Sequence, residues 1–544
     1  MNIKILKIFI ITAIVIIAGV EALFLAVLPA FVNSFFEKKE LVSAVKEKTG
    51  LVLNYDKISF KTYPNFDAKI TSENLNLSDD KQEIVKVKCF KTKVFLPSLL
   101  LKKLTLKSLN ADDFSLHFSR NKDKNLYIGN YKIPFNVDVK QDINLDFDNL
   151  NIVNSTITFD DKLVNQTIKG NISKVNLLYK KNKKLKLVLD SEIFVNNKAK
   201  TLINVDLYTS LKNSNCLKPE SENCYLKIQN LDLSDYKSYI SYFEKDVQNV
   251  SGVINTLVEC DKQHSYVLKS SVKNFKIDMK NPLDSVKSNG DINIESVFTF
   301  KNNNLLLEKT LLSSKDWAIN VSGQVQDYAK NNPHLNLSVV IPSANINSLY
   351  WLAPSFKDDP FNVMQKFKKY GAWGIANGKI EIKGSAQKPE IYGNLTASDV
   401  YIVKNNPIVP HCKIFAEFLK DKVKVSTRVF TGHGEYVDIN GTAVMKPYGE
   451  GDFDVVSSPN VDLGTAEYML VPIHEVVGFD IGPVPYMTIK GKGNIKLKTS
   501  GTILDGNAYG QFNFKNTTAT LQGLNTVLEN ADGTLDFNGR DMHF

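Results

Sequence analysis

Cysteine is scarce in this chain of 544 residues: there are five, Cys89, Cys216, Cys224, Cys260 and Cys412. An odd, widely spaced set builds no disulfide framework, and no Cys-x-x-Cys or Cys/His cluster has metal-ligand spacing. Cys216 and Cys224 flank the polar stretch LKPESEN and could clip a loop in an oxidising compartment; two unbridged thiols are the equal alternative. Histidine is nearly as sparse, with seven in all, and none has a spacing that argues for catalysis. Gly-x-Ser-x-Gly, His-Glu-x-x-His, the P-loop and Gly-x-Gly-x-x-Gly are all missing. The acidic pairs Asp79–Asp80, Asp112–Asp113, Asp160–Asp161 and Asp358–Asp359 stand in or beside turn-like sequence. Solvated turns explain them better than a glycosidase pair, which needs two carboxylates held at a set distance. TGHGEY, Thr431 to Tyr436, reads as a hairpin turn rather than a catalytic base. The sequence therefore assigns no catalytic, cofactor-binding or metal residue, expects no cofactor, and argues against an enzyme.

Strong charge of one sign is lacking too. The formal net charge is +9, and the lysines are scattered through polar positions such as those of LKLVLD and KIEIKG. They read as solvated strand faces and edge protection, with a weak attraction to anionic lipid headgroups allowed. Without a focused basic patch interleaved with aromatics, nucleic acid is not an expected partner. Hydrophobic residues make up 43% of the chain, so it is not a disordered stalk.

One long hydrophobic run is present, Ile8 to Leu28, broken only by Thr12 and Glu21. About twenty apolar residues suffice to cross a bilayer as a helix. Lys4 and Lys7 ahead of it favour a cytoplasmic N-terminus. Glu21 costs a few kcal/mol near a bilayer centre and less near the exit. A cleaved signal peptide would need a shorter apolar core and a small-x-small site, and Pro29, Ala30, Phe31 and Val32 offer none. The expectation is a single-pass anchor over 1–32, with the remaining chain across the membrane from the N-terminus.

A helix is expected over 33–48, part of a juxtamembrane segment 33–50, with Leu41, Val42 and Val45 on one side and Gly50 as its stop. From Leu51 the texture changes to short alternating runs, among them IVKVKCFKTKVFL, FSLHFS, STITFD, KLKLVLD and HLNLSVVI. Period-two alternation marks strands with one buried and one wet face. Clusters such as SRNKDKN and FKNNNL between them have turn chemistry. An all-β body follows, and a parallel α/β fold is excluded because the crossover helices are missing.

Three interruptions resemble one another: NLDLSDYKSYISYFEK from Asn230, SANINSLYWLAPSF from Ser343 and NVDLGTAEYMLVPI from Asn460. Leu233, Ile346 and Leu463 are the matching apolar positions, each after a cap-like residue and before a short helical stretch. A glycine-led strand follows each: SGVINTLVEC at Ser251, NGKIEIKG at Asn377 and KGNIKLKTSG at Lys492. This spells a diverged repeat, dividing the body into a β-region 51–230 and repeated units over 231–544 that start near 231, 345 and 461. Within the second interruption, DDPFNVMQKFKKYG is expected to be a helix capped by Asp359 and ended by Gly371, its Phe361, Met364 and Phe367 facing a sheet or lidding a groove. The last residues, TLDFNGRDMHF, stop in mid-pattern, where a strand would present an open edge.

Two stretches resemble a known family. The first is the anchor followed by TGLVLNYDKISFKTYPNFDAKITSENLNLSD, with its Tyr63-Pro64 turn, and then a Leu-Pro-x-Leu-Leu segment (Leu96 to Leu100). This order is similar to the N-terminal region of the AsmA family of bacterial envelope proteins. The second, Gly378 onwards, resembles the strand-and-glycine repeats of AsmA-like and TamB-like proteins. The resemblance implies a mainly β fold: an elongated, curved antiparallel β-sheet trough with an apolar interior, an N-terminal transmembrane helix and a few short helices. It further implies an inner-membrane anchor with the bulk periplasmic, and phospholipids as cargo moving towards the outer membrane. Outer-membrane or periplasmic proteins at the C-terminal end are the other partners it implies. Two other readings stand beside it: a scaffold for outer-membrane protein assembly by β-augmentation, and a tethered glycan-binding β-solenoid with a filled core and surface aromatic stripes.

Overall fold

The structure is a computed structural model that describes residues 23–37, 40–79, 82–100, 104–132, 143–180, 184–198, 200–210, 221–260, 265–301, 303–352, 371–402, 411–432, 434–444, 450–464, 487–501, 506–521 and 526–544. Most of the expected anchor and the expected helix after Asp359 lie outside these residues. No helix among the described residues is long and apolar enough to cross a membrane. The chain divides into two compact units, Met1–Phe243 with Val253–Val267, and Glu244–Gly252 with Leu268–Phe544.

In the first unit, two helices precede the sheet where one is expected: α1 (Leu28–Glu37) and α2 (Glu40–Thr49). Gly50, at φ +73°, ends α2, and its N–H donates to the Lys46 carbonyl. Strands β1 (Val52–Asn54) and β2 (Lys57–Thr62) both pair with β3 (Asp67–Ser78), across the Tyr63-Pro64 turn in the case of β2. Next come β4 (Glu83–Phe95), the one-turn helix α3 (Pro97–Leu100), β5 (Leu104–Arg120), and a short hairpin of β6 (Leu126–Ile128) and β7 (Tyr131–Lys132). Then β8 (Ile143–Asp161), β9 (Gln166–Lys180), β10 (Lys184–Val195), β11 (Lys200–Ser210), β12 (Ser221–Asp232) and β13 (Val247–Cys260) pair in turn, each antiparallel to the last.

The junction between β5 and β8 corrects the expectation of a wholly antiparallel sheet, because these two run parallel over their whole length. A tight hairpin would have reversed the direction. Instead residues 121–142 intervene, so the chain re-enters at the end where β5 began.

The second unit repeats the antiparallel ladder. After β14 (Ser265–Met279) and its short partner β15 (Val286–Lys287) come β16 (Ile292–Lys301), β17 (Asn304–Ser314), β18 (Trp317–Gln326) and β19 (His334–Asn345). They continue with β20 (Ala372–Ser385), β21 (Lys388–Ile402), β22 (Cys412–Lys420), β23 (Lys422–Gly432), β24 (Glu435–Val444) and β25 (Gly451–Ser457). The series ends with β26 (Val461–Asp462), β27 (Met487–Gly501), β28 (Gly506–Leu521), β29 (Thr526–Gly539) and β30 (Asp541–His543).

The three interruptions begin alike in the backbone, with a glycine register that differs from the sequence alignment. They lie between β12 and β13, β19 and β20, and β26 and β27. The helices α4 (Lys237–Phe243), after a 3-10 turn Leu233–Tyr236, and α5 (Ile346–Tyr350) lie at the start of the first two. Asp232 and Asn345 cap them by accepting from the backbone N–H groups of Ser234 and Asn347. Opposite the cap, Leu231 pairs with Ile254, Ala344 with Ala376 and Val461 with Gly493. The equivalent glycines are therefore Gly252, Gly374 and Gly491, at φ +139°, +145° and +144°, rather than the Gly378 and Gly493 that open the apparent motifs. A Cβ at Gly374 would meet Val400 Cγ2 at 3.0 Å, and one at Gly491 would meet Thr517 Oγ1 at 2.6 Å.

A second device recurs in the strands: a single Asn or Asp in the left-handed region. Asn74, Asp113, Asn154, Asn230, Asp399 and Asn516 have φ between +48° and +59°, a region these residues tolerate because their short side chains bond locally. Each resets the alternation. In β8, Leu150 and Ile152 face one side, Asn154 intervenes, and Ser155, Ile157 and Phe159 continue on that same side. Asp113 and Asn154 are neighbours across the parallel pair, so both strands kink together.

The first edge of the sheet is closed by a side chain. The Asn33 carboxamide of α1 donates to the Phe60 carbonyl at 3.0 Å and accepts from the Phe60 N–H at 2.7 Å, as a neighbouring strand would. At the end of β8, Asp161 is 1% exposed and accepts from Arg120 Nε at 3.0 Å and the Leu163 N–H at 3.1 Å. Burial works to raise its pKa, but Arg120 and the other donors outweigh it and hold the carboxyl below its ordinary range. The facing Tyr239 of α4 is pushed well up, by burial first and then by Asp161. Gln166 also donates to the Asp235 carbonyl, fastening the 3-10 turn to the β8–β9 turn.

Two outcomes are expected. Asn154→Val should cost about 1–2 kcal/mol in chemical denaturation through its left-handed backbone, whereas Asn154→Gly should be near neutral. Asp161→Asn should cost about 3 kcal/mol by stranding Arg120. Because the Asp161 pKa is depressed on folding, its contribution is present above about pH 4 and lost on acidification below that. The pH dependence of unfolding for wild type and Asp161→Asn, measured side by side, checks this.

Candidate apolar binding face

The strand registers sort the side chains of the second unit onto two faces. On one face, Leu335, Leu337 and Val339 of β19 stand beside Ile380 and Ile382 of β20, which stand beside Ile391 and Leu395 of β21. The same face continues through Ile414, Ala416 and Phe418 of β22, Val423, Val425 and Val429 of β23, and Val437 and Ile439 of β24. Val455 and Phe453 of β25 carry it to Leu497, then to Phe512 and Phe514, and to Leu535 and Phe537 of β29. The opposite face bears Lys379, Glu381, Lys383, Lys422, Lys424, Arg428, Asp452, Asp454, Lys496 and Lys498. Ion pairs lace it, including Arg428 on Asp438 at 2.7 Å and Lys420 on Glu390 at 2.8 Å. Glu381 sits below its ordinary carboxylate range, chiefly through its hydrogen bond from Lys383.

The first unit has the same division. Leu150, Ile152, Ile157 and Phe159 of β8 lie beside Val175, Leu177, Ile172 and Ile168 of β9. Leu187 and Leu189 of β10 then lie beside Val205 and Leu207 of β11. Phe118 and Phe159 stack at 4.8 Å across the parallel pair.

Most of these apolar side chains are half-buried, and few are buried. The physical reason is that the sheet is a single layer. Among the described residues, substantial contacts between elements link neighbouring strands or a helix and nearby strand ends. The exception is short β26, whose Val461 packs with Val400, Cys412, Val429 and Val437 into one small core at the strand ends. No helix or second sheet among the described residues covers the apolar face. An apolar surface in this state gains about 25 cal/mol for each Å² that a ligand removes from water.

Among the described residues, none of those that sequence singled out as possible chemistry converges on a site. Asp79 and Asp160–Asp161 sit at or beside turns, as expected. Asp112–Asp113 does not: it lies inside β5, at the left-handed kink. Asp80, Asp358 and Asp359 lie outside the described residues. Gly432 pairs with Glu435 to close the β23–β24 hairpin, with Gly434 at φ +84°, while His433 lies outside the described residues. Cys216 lies outside the described residues, so the Cys216–Cys224 clip has no structural counterpart here. No group of three or more metal-binding side chains occurs among the described residues.

One surface feature was not read from sequence. Trp373, Tyr401, His411, Phe430 and Tyr436 form a transverse row across β20 to β24 on the charged face. Tyr401 and His411 are 5.9 Å apart, His411 and Phe430 stack at 4.9 Å, and the Arg428 guanidinium lies 4.2 Å over Tyr436. These residues end or begin their strands, far apart in sequence, and only the register brings them together.

No curated protein and no solved structure matches this chain. A family model does: that of the YhdP protein, over residues 1–283. That stretch includes helices α1 to α4, the Asn33 contact with the β2 edge, the parallel β5–β8 pair and the first unit's apolar face. Matched over more than half its length, the chain belongs to the YhdP family, one of the AsmA-like families of bacterial envelope proteins.

Proposed function

We propose that this protein is a lipid-binding bridge of the bacterial envelope. It is tethered to the inner membrane by residues 8–28, with its sheet in the periplasm, and passes phospholipids towards the outer membrane. The observation that carries this reading is the half-buried apolar face continuing from strand to strand in each unit, backed by a face of lysines and carboxylates. Acyl chains would lie on the first while the second stays hydrated. Burial of a methylene is worth about 0.8 kcal/mol, so a sixteen-carbon chain gains on the order of 12 kcal/mol before entropic costs. Moving such a chain along an evenly apolar row changes little free energy, and the process breaks no covalent bond. A non-enzymatic role fits that chemistry and the family.

The aromatic row on the charged face is what a glycan-binding reading would use. Within it, however, His411 and Phe430 stack on each other and the Arg428 guanidinium lies over Tyr436, so these rings have one face already taken. The scaffold reading needs an unpaired strand edge: at β2 the Asn33 carboxamide takes the backbone groups of Phe60, whereas beyond β28 the strand β29 is paired, among the described residues, only at Asp536, Phe537 and Asn538.

The full chain extracted from membranes should carry several phospholipids per molecule in native mass spectrometry; a folded, lipid-free protein would overturn the proposal. Leu187→Glu and Val425→Glu, which place a carboxylate on the apolar face, should lower the bound lipid several-fold, because an unpaired charge resists burial. Lys424→Glu, one residue away on the charged face, should leave it unchanged.

A further inference from the structure

The β12–β13 ladder brings together two cysteines that sequence spacing does not pair. Tyr225 stands opposite Glu259 and Leu226 opposite Val258. The next step along the same ladder places Cys224 opposite Cys260, both still within their strands. Directly opposed residues of an antiparallel pair have Cα atoms about 4.5–5.5 Å apart, inside the range of roughly 4.4–6.8 Å that a disulfide spans. The two thiols are already in hydrogen-bonding contact. Both point to the apolar face, where Cys224 also neighbours Leu207 of β11.

The remaining described cysteines are placed differently. Cys412 is buried in the small core, and burial pushes its thiol up to about 11. Cys89 faces Glu73 and Asp112 on its two neighbouring strands.

We propose that Cys224 and Cys260 form a redox pair that closes to an intramolecular disulfide when the protein meets a disulfide oxidant. In the first exchange, the Cys224 or Cys260 thiolate attacks one sulfur of the oxidant and releases its other sulfur as a thiol. The second cysteine then displaces the remaining oxidant sulfur. Two thiols of this chain lose two protons and two electrons, and the oxidant leaves as two thiols. The new bond ties the strands on either side of α4, so the connection that carries the rim helix becomes a closed loop. Burial, with its neighbour Cys260, raises the Cys224 thiol to about 11. The thiolate is therefore rare at neutral pH, and uncatalysed closure is slow. This pairing is independent of any lipid on the face.

The test incubates the detergent-extracted full chain with oxidised glutathione, blocks residual thiols with N-ethylmaleimide, and maps the peptides without reductant. A peptide joining Cys224 to Cys260 is expected. It should also form in Cys216→Ser, and at a rate rising about tenfold per pH unit between pH 7 and 9. In the same Cys216→Ser protein, a reductant should lower the thermal midpoint, and it should not do so in the Cys216→Ser, Cys260→Ser double variant. A Cys216–Cys224 linkage, glutathione adducts alone, or maleimide on both cysteines would each overturn the assignment.

Discussion

Each strand in this protein is held chiefly by the backbone ladders to its two neighbours. In a two-layered protein the apolar face of a sheet is buried against a partner layer, and the ladder is only part of the stabilisation. Here the described residues supply no such layer, so the ladder and the lateral packing of side chains along it must suffice. That constraint explains the length of the strands, which reach 19 residues in β8. It also explains why ladder faults are managed with care. The first edge is sealed by the Asn33 carboxamide, the rim crossings carry glycines with no Cβ to push neighbours apart, and the kinks are shared between adjacent strands.

The same constraint sets what the face can do. A filled interior has a unique packing, and a guest must displace something to enter. A half-buried apolar surface has no packed partner to lose. It is also chemically even: Leu, Ile, Val and Phe recur with few polar interruptions. Such a surface is suited to ligands recognised by apolar length rather than by shape or hydrogen bonding.

Much of this was legible in the chain itself. Alternation gave the strands, and Asp232 and Asn345 announced the rim helices by their capping chemistry. TGHGEY turned as its glycines suggest. What could not be read has physical causes. Period-two patterning is the same for parallel and antiparallel neighbours, so the β5–β8 junction left no mark. The glycine register of the repeat was misread because Gly378 and Gly493 open conspicuous motifs, while Gly374 and Gly491 face the caps across the ladder. Asp112–Asp113 looked like a turn because acidic pairs usually are; in fact apolar residues two apart on both sides, ending in Ala111 and resuming at Phe114, encode a kinked strand. The same grammar occurs at Ile152–Asn154–Ser155 and Ala397–Asp399–Val400. The aromatic row and the Cys224–Cys260 pairing need the register, which pattern alone does not supply.

The left-handed Asn and Asp residues have a consequence for how such a chain can change over generations. Each is one residue more than a regularly alternating strand would hold, and its left-handed backbone keeps both halves of the strand oriented alike. Loss of the codon for Asn154 would leave Ser155, Ile157 and Phe159 on the side of Ile152, but would unmatch the kink that Asp113 keeps in β5. Loss of a codon elsewhere in β8 would turn everything beyond it inside out. Changes of length should therefore gather at strand ends and at these kinks, while exchanges of residue type are tolerated far more readily in between.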